Sequence, residues 1–82
     1  MSRIIVERTF GAPPSDADLM AFANRQRECL DIYRVTHRRS LLSQDRRRMM
    51  CEYEAPDAES VRRVQLEAEG QFDRIWIAEV VG

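Results

Sequence analysis

His37 is the chain's only imidazole, and the carboxylates best placed to share a sheet surface with it are Glu52 and Glu7. One neutral imidazole and two carboxylates form a ligand set that suits nickel, zinc or iron. Whether they meet depends on strand pairing. Val35 to Leu42 and Arg47 to Glu54 flank the polar Ser43-Gln44-Asp45-Arg46 and read as a hairpin. A short, even-numbered loop centred on Gln44-Asp45 sets His37 opposite Glu52, Arg39 opposite Met50 and Leu41 opposite Arg48, all on one face. Glu7, on the neighbouring central strand, then joins His37 and Glu52. Met49, Cys51 and Tyr53 point the other way, where an unpaired thiol behaves as a small hydrophobe. The competing reading is that His37 and Glu52 are a cross-strand polar pair, a routine sheet stabiliser that binds nothing.

The same hairpin gathers Arg38, Arg39, Arg46, Arg47 and Arg48 in a chain whose 13 basic residues are all arginine. Guanidinium forks suit a carboxylate or phosphate, so a small anionic ligand is one reading. An edge strand protected by charge, with arginines bridging to Glu52 and Glu54, is the other. RNA recognition is disfavoured, because Arg46 to Glu54 lacks the aromatic-Gly-aromatic pattern that stacks bases, and the net charge of −1 supplies no general attraction. The loop Gly11 to Ser15 carries no Cys-x-x-Cys, which argues against a soft-metal chaperone. Cys29 and Cys51 are too few and too separated for a disulfide framework and are expected as buried, inert thiols in a reducing compartment. Ser40, Ser43 and Cys29 stand in no nucleophile motif. An enzyme reading remains as the alternative: a cofactor-free oxygenase or isomerase of the dimeric-barrel kind, with Glu7 or His37 as proton acceptor and Trp76 and Tyr33 lining a cavity.

The elements that must hold these residues are legible along the chain. At 82 residues it is one domain, 1–82, with a single modest core. A hydrophobic fraction of 44% and a charged fraction of 33% place it among ordinary globular domains. No apolar run reaches spanning length and Met1-Ser2-Arg3 leads straight into a strand-like segment, so a cytoplasmic protein is expected. Ile4 to Phe10 is β-branched and aromatic and stops at Gly11-Ala12-Pro13-Pro14. Ser15 and Asp18 read as an N-cap with its acidic third residue, opening a helix over Asp16 to Tyr33 whose apolar residues recur at helical spacing. After the hairpin, Asp57 caps a second helix that Gly70 stops, and Phe72 to Val81 forms the last strand. The order βαββαβ predicts an α+β ferredoxin-like sandwich, four antiparallel strands with both helices on one face. Ile4-Ile5-Val6 and Ile75-Trp76-Ile77 with Val80 and Val81 make the first and last strands apolar on both faces. The expectation is therefore a homodimer packed sheet against sheet through the open face.

Several segments together carry a resemblance: Val6-Glu7-Arg8 with Phe10, Ser40 with Ser43 and Asp45, Cys51 with Tyr53, Ala55-Pro56-Asp57-Ala58, and Phe72-Asp73-Arg74-Ile75. In order and spacing the chain resembles a bacterial family of small ferredoxin-like domains of unknown function, one branch of which binds nickel. The resemblance implies a dimeric α+β sandwich and transition-metal binding. The chain departs from the family where His37 and Arg39 stand, positions often aromatic and histidine respectively, so no ligand assignment is carried over.

Overall fold

Strand and helix periodicities resolve into β1 (Ser2–Thr9), α1 (Asp16–Ile32), β2 (Thr36–Leu42), β3 (Arg48–Ala55), α2 (Ala58–Glu67) and β4 (Arg74–Ala78) in a computed structural model that describes residues 1–82. The strands form one antiparallel sheet in the order β2-β3-β1-β4, which is the ferredoxin-like arrangement expected from the sequence. The long central strands β1 and β3 pair from Ser2 with Ala55 through Thr9 with Arg48. On the helix side their alternating residues Ile4 and Val6, Cys51, Tyr53 and Ala55 join Met49, Val35 and the α2 residues Val61 and Val64 in the core. No helix is long and apolar enough to cross a membrane.

The caps explain where the helices start. Ser15 Oγ accepts from Asp18 N at 3.1 Å while Asp18 Oδ2 accepts from Ser15 N at 2.9 Å, a reciprocal capping box. Asp57 Oδ1 accepts from Ser60 N at 2.8 Å and opens α2. Both helices end in the same way. Val35 N donates to Leu30 O and Arg34 N to Asp31 O after α1, and Gly70 N to Gln65 O and Glu69 N to Leu66 O after α2. These are Schellman endings, and their left-handed residues are Arg34 (φ 58) and Glu69 (φ 57), not glycines. Gly70 stands one position later than a helix-stopping glycine would. It is required instead by close approach, since a Cβ there would lie 2.6 Å from Phe22 Cε1.

Two expectations are corrected. The last strand is shorter than Phe72 to Val81: Val80 and Val81 lie beyond it and are exposed. The face away from the helices is also not uniformly apolar. Ile5 is buried there, 5% exposed, but Arg3, Glu7, Glu52 and Glu54 bring charge to the same surface and are joined by ion pairs.

Candidate functional site

The hairpin decides which candidate residues meet. Its turn is built by Ser43 Oγ, which donates to Asp45 Oδ1 at 2.6 Å and accepts from Arg48 N at 3.0 Å, and by Arg46, whose positive φ of 62 lets the chain reverse. From it the ladder runs Leu42 with Met49, Leu41 with Met50, Ser40 with Cys51 and Arg39 with Glu52. A bulge follows between His37 and Arg39, after which His37 pairs with Tyr53 and Thr36 with Glu54. The pairing is two residues away from the expected register, a slip that by itself preserves the faces. The bulge does not preserve them: one extra residue, Arg38, turns His37 from the open face to the helix face.

The expected triad is thereby split. Glu7 and Glu52 do share the open face, but His37 lies on the opposite side of the sheet, its ring 5.1 Å from that of Tyr53. The two carboxylates are moreover engaged. Glu52 takes Arg3 Nη1 at 3.2 Å and Arg39 Nε at 3.1 Å. Glu7 Oε2 accepts from Trp76 Nε1 at 2.7 Å and pairs with Arg74 Nη2 at 2.9 Å. These hydrogen bonds, Trp76 first and Arg74 second, hold the Glu7 carboxyl below the usual carboxylate range. Most of the hairpin arginines are likewise committed: Arg38 to Glu54, Arg39 to Glu52, Arg46 to Asp16 and the Pro14 carbonyl, Arg47 to the Gly11 carbonyl. No cluster of three or more His, Cys, Asp and Glu residues is arranged to hold a metal ion.

On the helix face the bulge creates a different constellation. His37 Nε2 lies 2.9 Å from Ser40 Oγ, and Ser40 Oγ donates to Cys51 Sγ at 3.1 Å. Cys51 is 2% exposed and belongs to the core, as expected. Burial pushes its thiol up, yet the hydrogen bond from His37, the positive charge of Arg8 and the hydrogen bond from Ser40 together bring it down to about 7. A thiol near 7 is partly thiolate at neutral pH, so Cys51 is more than a small hydrophobe, although its burial keeps it from solvent. Cys29 is half-buried and fits the inert description better: burial and the charge of Glu67 push its thiol up.

Beneath Cys51 the neighbouring polar groups form a second buried cluster. Tyr53 donates from its hydroxyl to Gln26 Oε1 at 3.0 Å, and Arg8 Nη2 donates to Tyr53 Oη at 3.2 Å and to Gln65 Oε1 at 2.7 Å. Burial, then the nearby charge of Cys51, push the Tyr53 phenol up to about 12. Arg8 was not singled out as a site residue by sequence reasoning. The signal was present in the alternation Ile4, Val6, Arg8, which puts a guanidinium on the buried side of a central strand.

The family model described as "Nickel responsive protein SCO4226-like" matches residues 5–77 of the chain. Among solved structures the chain is similar to that titled "Crystal structure analysis of SCO4226 from Streptomyces coelicolor A3(2)", with a TM-score of 0.87 at 16% identity over 99% of this chain and 100% of the other. At that identity the likeness speaks for the fold alone. No curated protein sequence matches the chain.

Proposed function

This chain belongs to the SCO4226-like family of nickel responsive proteins, and on that premise we propose that it is a small binding protein taking a divalent transition metal, nickel foremost, through His37 and Cys51. The observation that carries the reading is the hydrogen-bonded string His37, Ser40, Cys51, which unites the chain's only imidazole with a thiol held near 7. Imidazole nitrogen and thiolate sulfur together suit nickel or zinc better than carboxylate alone. The open face fits a metal poorly by comparison. Its acids are neutralised by Arg3, Arg39 and Arg74, and a cation would have to displace those guanidiniums. His37 and Cys51 would hold the ion, and the rest of its coordination sphere falls to water or to groups from a second copy of the chain.

Titration calorimetry with nickel and zinc, paired with absorption spectra for a thiolate-to-nickel charge-transfer band, tests this. His37→Ala and Cys51→Ser should each lose more than the ~10–100-fold that follows removal of a mere supporting partner, and Cys51→Ser should also lose the band. Glu52→Gln and Glu7→Gln should bind like the parent. Affinity should fall about tenfold per pH unit below 7, because the bound thiol must give up its proton. Full affinity in Cys51→Ser together with loss in Glu52→Gln would return the site to the open face.

The reading includes a homodimer formed through the open face. Leu41, Met50 and Trp76 supply apolar surface there, around the buried Ile5 and framed by the ion pairs of Arg3, Arg38, Arg39 and Arg74. Sedimentation at micromolar concentration should give twice the 9.6 kDa chain mass. A stable monomer would remove this part of the proposal and leave the metal site to one chain.

A further inference from the structure

An arginine on the core side of a central strand needs a counter-charge or a complete set of acceptors. Arg8 is 3% exposed, hydrogen-bonds to no carboxylate, and has an incomplete set of acceptors. Its partners are the Gln71 carbonyl at 2.9 Å, Tyr53 Oη at 3.2 Å and Gln65 Oε1 at 2.7 Å, all neutral, and the ring of Phe22 lies 4.7 Å over the guanidinium. Its Nε–H has no acceptor, and Gln65 Nε2 beside it has no partner either. Guanidinium remains charged even when buried, so the fold keeps a cation here with no carboxylate hydrogen-bonded to it.

Arg8 closes the inner end of a cleft of about 230 Å³ between the start of α1, the ends of β1 and β3, and the turn after α2. Phe10, Leu19, Phe22 and Met49 give it apolar walls, and Arg25 adds a second guanidinium at the rim. Two acids also line it: Asp18, whose Oδ2 is taken by the Ser15 amide, and Glu69, which is exposed at the mouth. The volume is below the ~300–1,000 Å³ of sites for drug-sized ligands, which restricts the occupant to a small molecule. A lone buried cation selects an anion, and apolar walls select an organic one.

We propose that this cleft binds a small organic carboxylate, with Arg8 as its counter-ion and the Arg8 Nε–H as the donor to one carboxylate oxygen. The half-buried Phe22 ring, stacked on the guanidinium and held against Gly70, must turn aside to admit that oxygen.

The test is a titration at pH 6 of isotope-labelled protein, followed by nuclear magnetic resonance and calorimetry, with benzoate, its neutral isostere benzamide and inorganic phosphate as probes. Benzoate should saturate, shift the Arg8 Nε–H and Phe22 ring resonances, and bind at least tenfold tighter than benzamide or phosphate. Gln65→Glu, which sets a carboxylate of the chain's own against Arg8, should weaken benzoate at least tenfold while the amide spectrum stays folded. Absence of saturation at millimolar benzoate, equal binding of benzamide, tighter binding of phosphate, or unchanged benzoate affinity in Gln65→Glu would each overturn the proposal. The comparison of probes on the unaltered protein decides it even if the variant fails to fold.

Discussion

Gln65→Glu should stabilise the protein, by on the order of 2 kcal/mol near pH 7, although it buries a new ionisable group. The replaced amide offers Oε1 to Arg8 at 2.7 Å while its Nε2 is buried without an acceptor. Glutamate keeps the shape, removes the unsatisfied donor and supplies the missing counter-charge. Leaving a buried charge without its partner costs about 3–5 kcal/mol in proteins where a pair is broken. Supplying the partner recovers that amount less the desolvation of the new carboxylate. For a domain of this size the gain corresponds to roughly 10 °C in Tm. Because Arg8 would lower the pKa of the introduced carboxyl, its contribution is complete above the unfolded glutamate pKa of about 4.3 and disappears as pH falls through the lower folded value. Thermal unfolding at pH 7 and pH 3 of parent and variant checks both parts. A variant less stable than the parent at pH 7 would mean that Arg8 is already compensated.

A second large effect should appear in the pH dependence of stability itself. Native contacts lower the Cys51 thiol from 9.0 to about 7, so the folded state holds the thiolate more tightly than the unfolded chain does. Its stabilisation is complete above the unfolded pKa and is lost as pH falls through 7. At about 1.36 kcal/mol per unit, the native protein should gain roughly 2–3 kcal/mol between pH 6 and pH 9. Cys29 acts in the opposite sense, but its thiol is raised above 9.0 and begins to subtract only beyond that window. The lowered carboxylates Glu7, Glu54 and Asp57 have their effects at far lower pH. Denaturant unfolding across pH 6 to 9 should therefore rise in the parent and stay flat in Cys51→Ser. A slope that survives the substitution would assign the effect to another group.

The fold was legible because each element carries its own period. Ser15 and Asp18 announce α1, Asp57 announces α2, and β1 and β3 are long enough that alternation places Ile4, Val6, Cys51 and Tyr53 correctly. Element ends slipped by a residue or two where left-handed Arg34 and Glu69 replaced the expected glycine signal. The site was less legible for a reason of parity. Strand pairing converts sequence distance into a face with a period of two, so the single extra residue Arg38 inverts everything before it. Nothing about an arginine among arginines marks it as a bulge. The charge ladder on the open face was partly foreseen in Glu52 and Glu54 bridging to arginines. The role of Arg3 was not, because it comes from the partner strand that only topology supplies.

The chain's only tryptophan gives the molecule a built-in optical asymmetry. Trp76 stands on the open face, 41% exposed, with its indole N–H anchored to Glu7. His37, Cys51 and the Arg8 cleft lie on the other side of the sheet. Intrinsic fluorescence is thus a one-sided signal. Covering the open face should shift emission to the blue as water leaves the indole, whereas occupancy behind the sheet is sensed only through the strand backbone. Without any attached dye, the emission maximum can follow self-association separately from ligand uptake in the same cuvette.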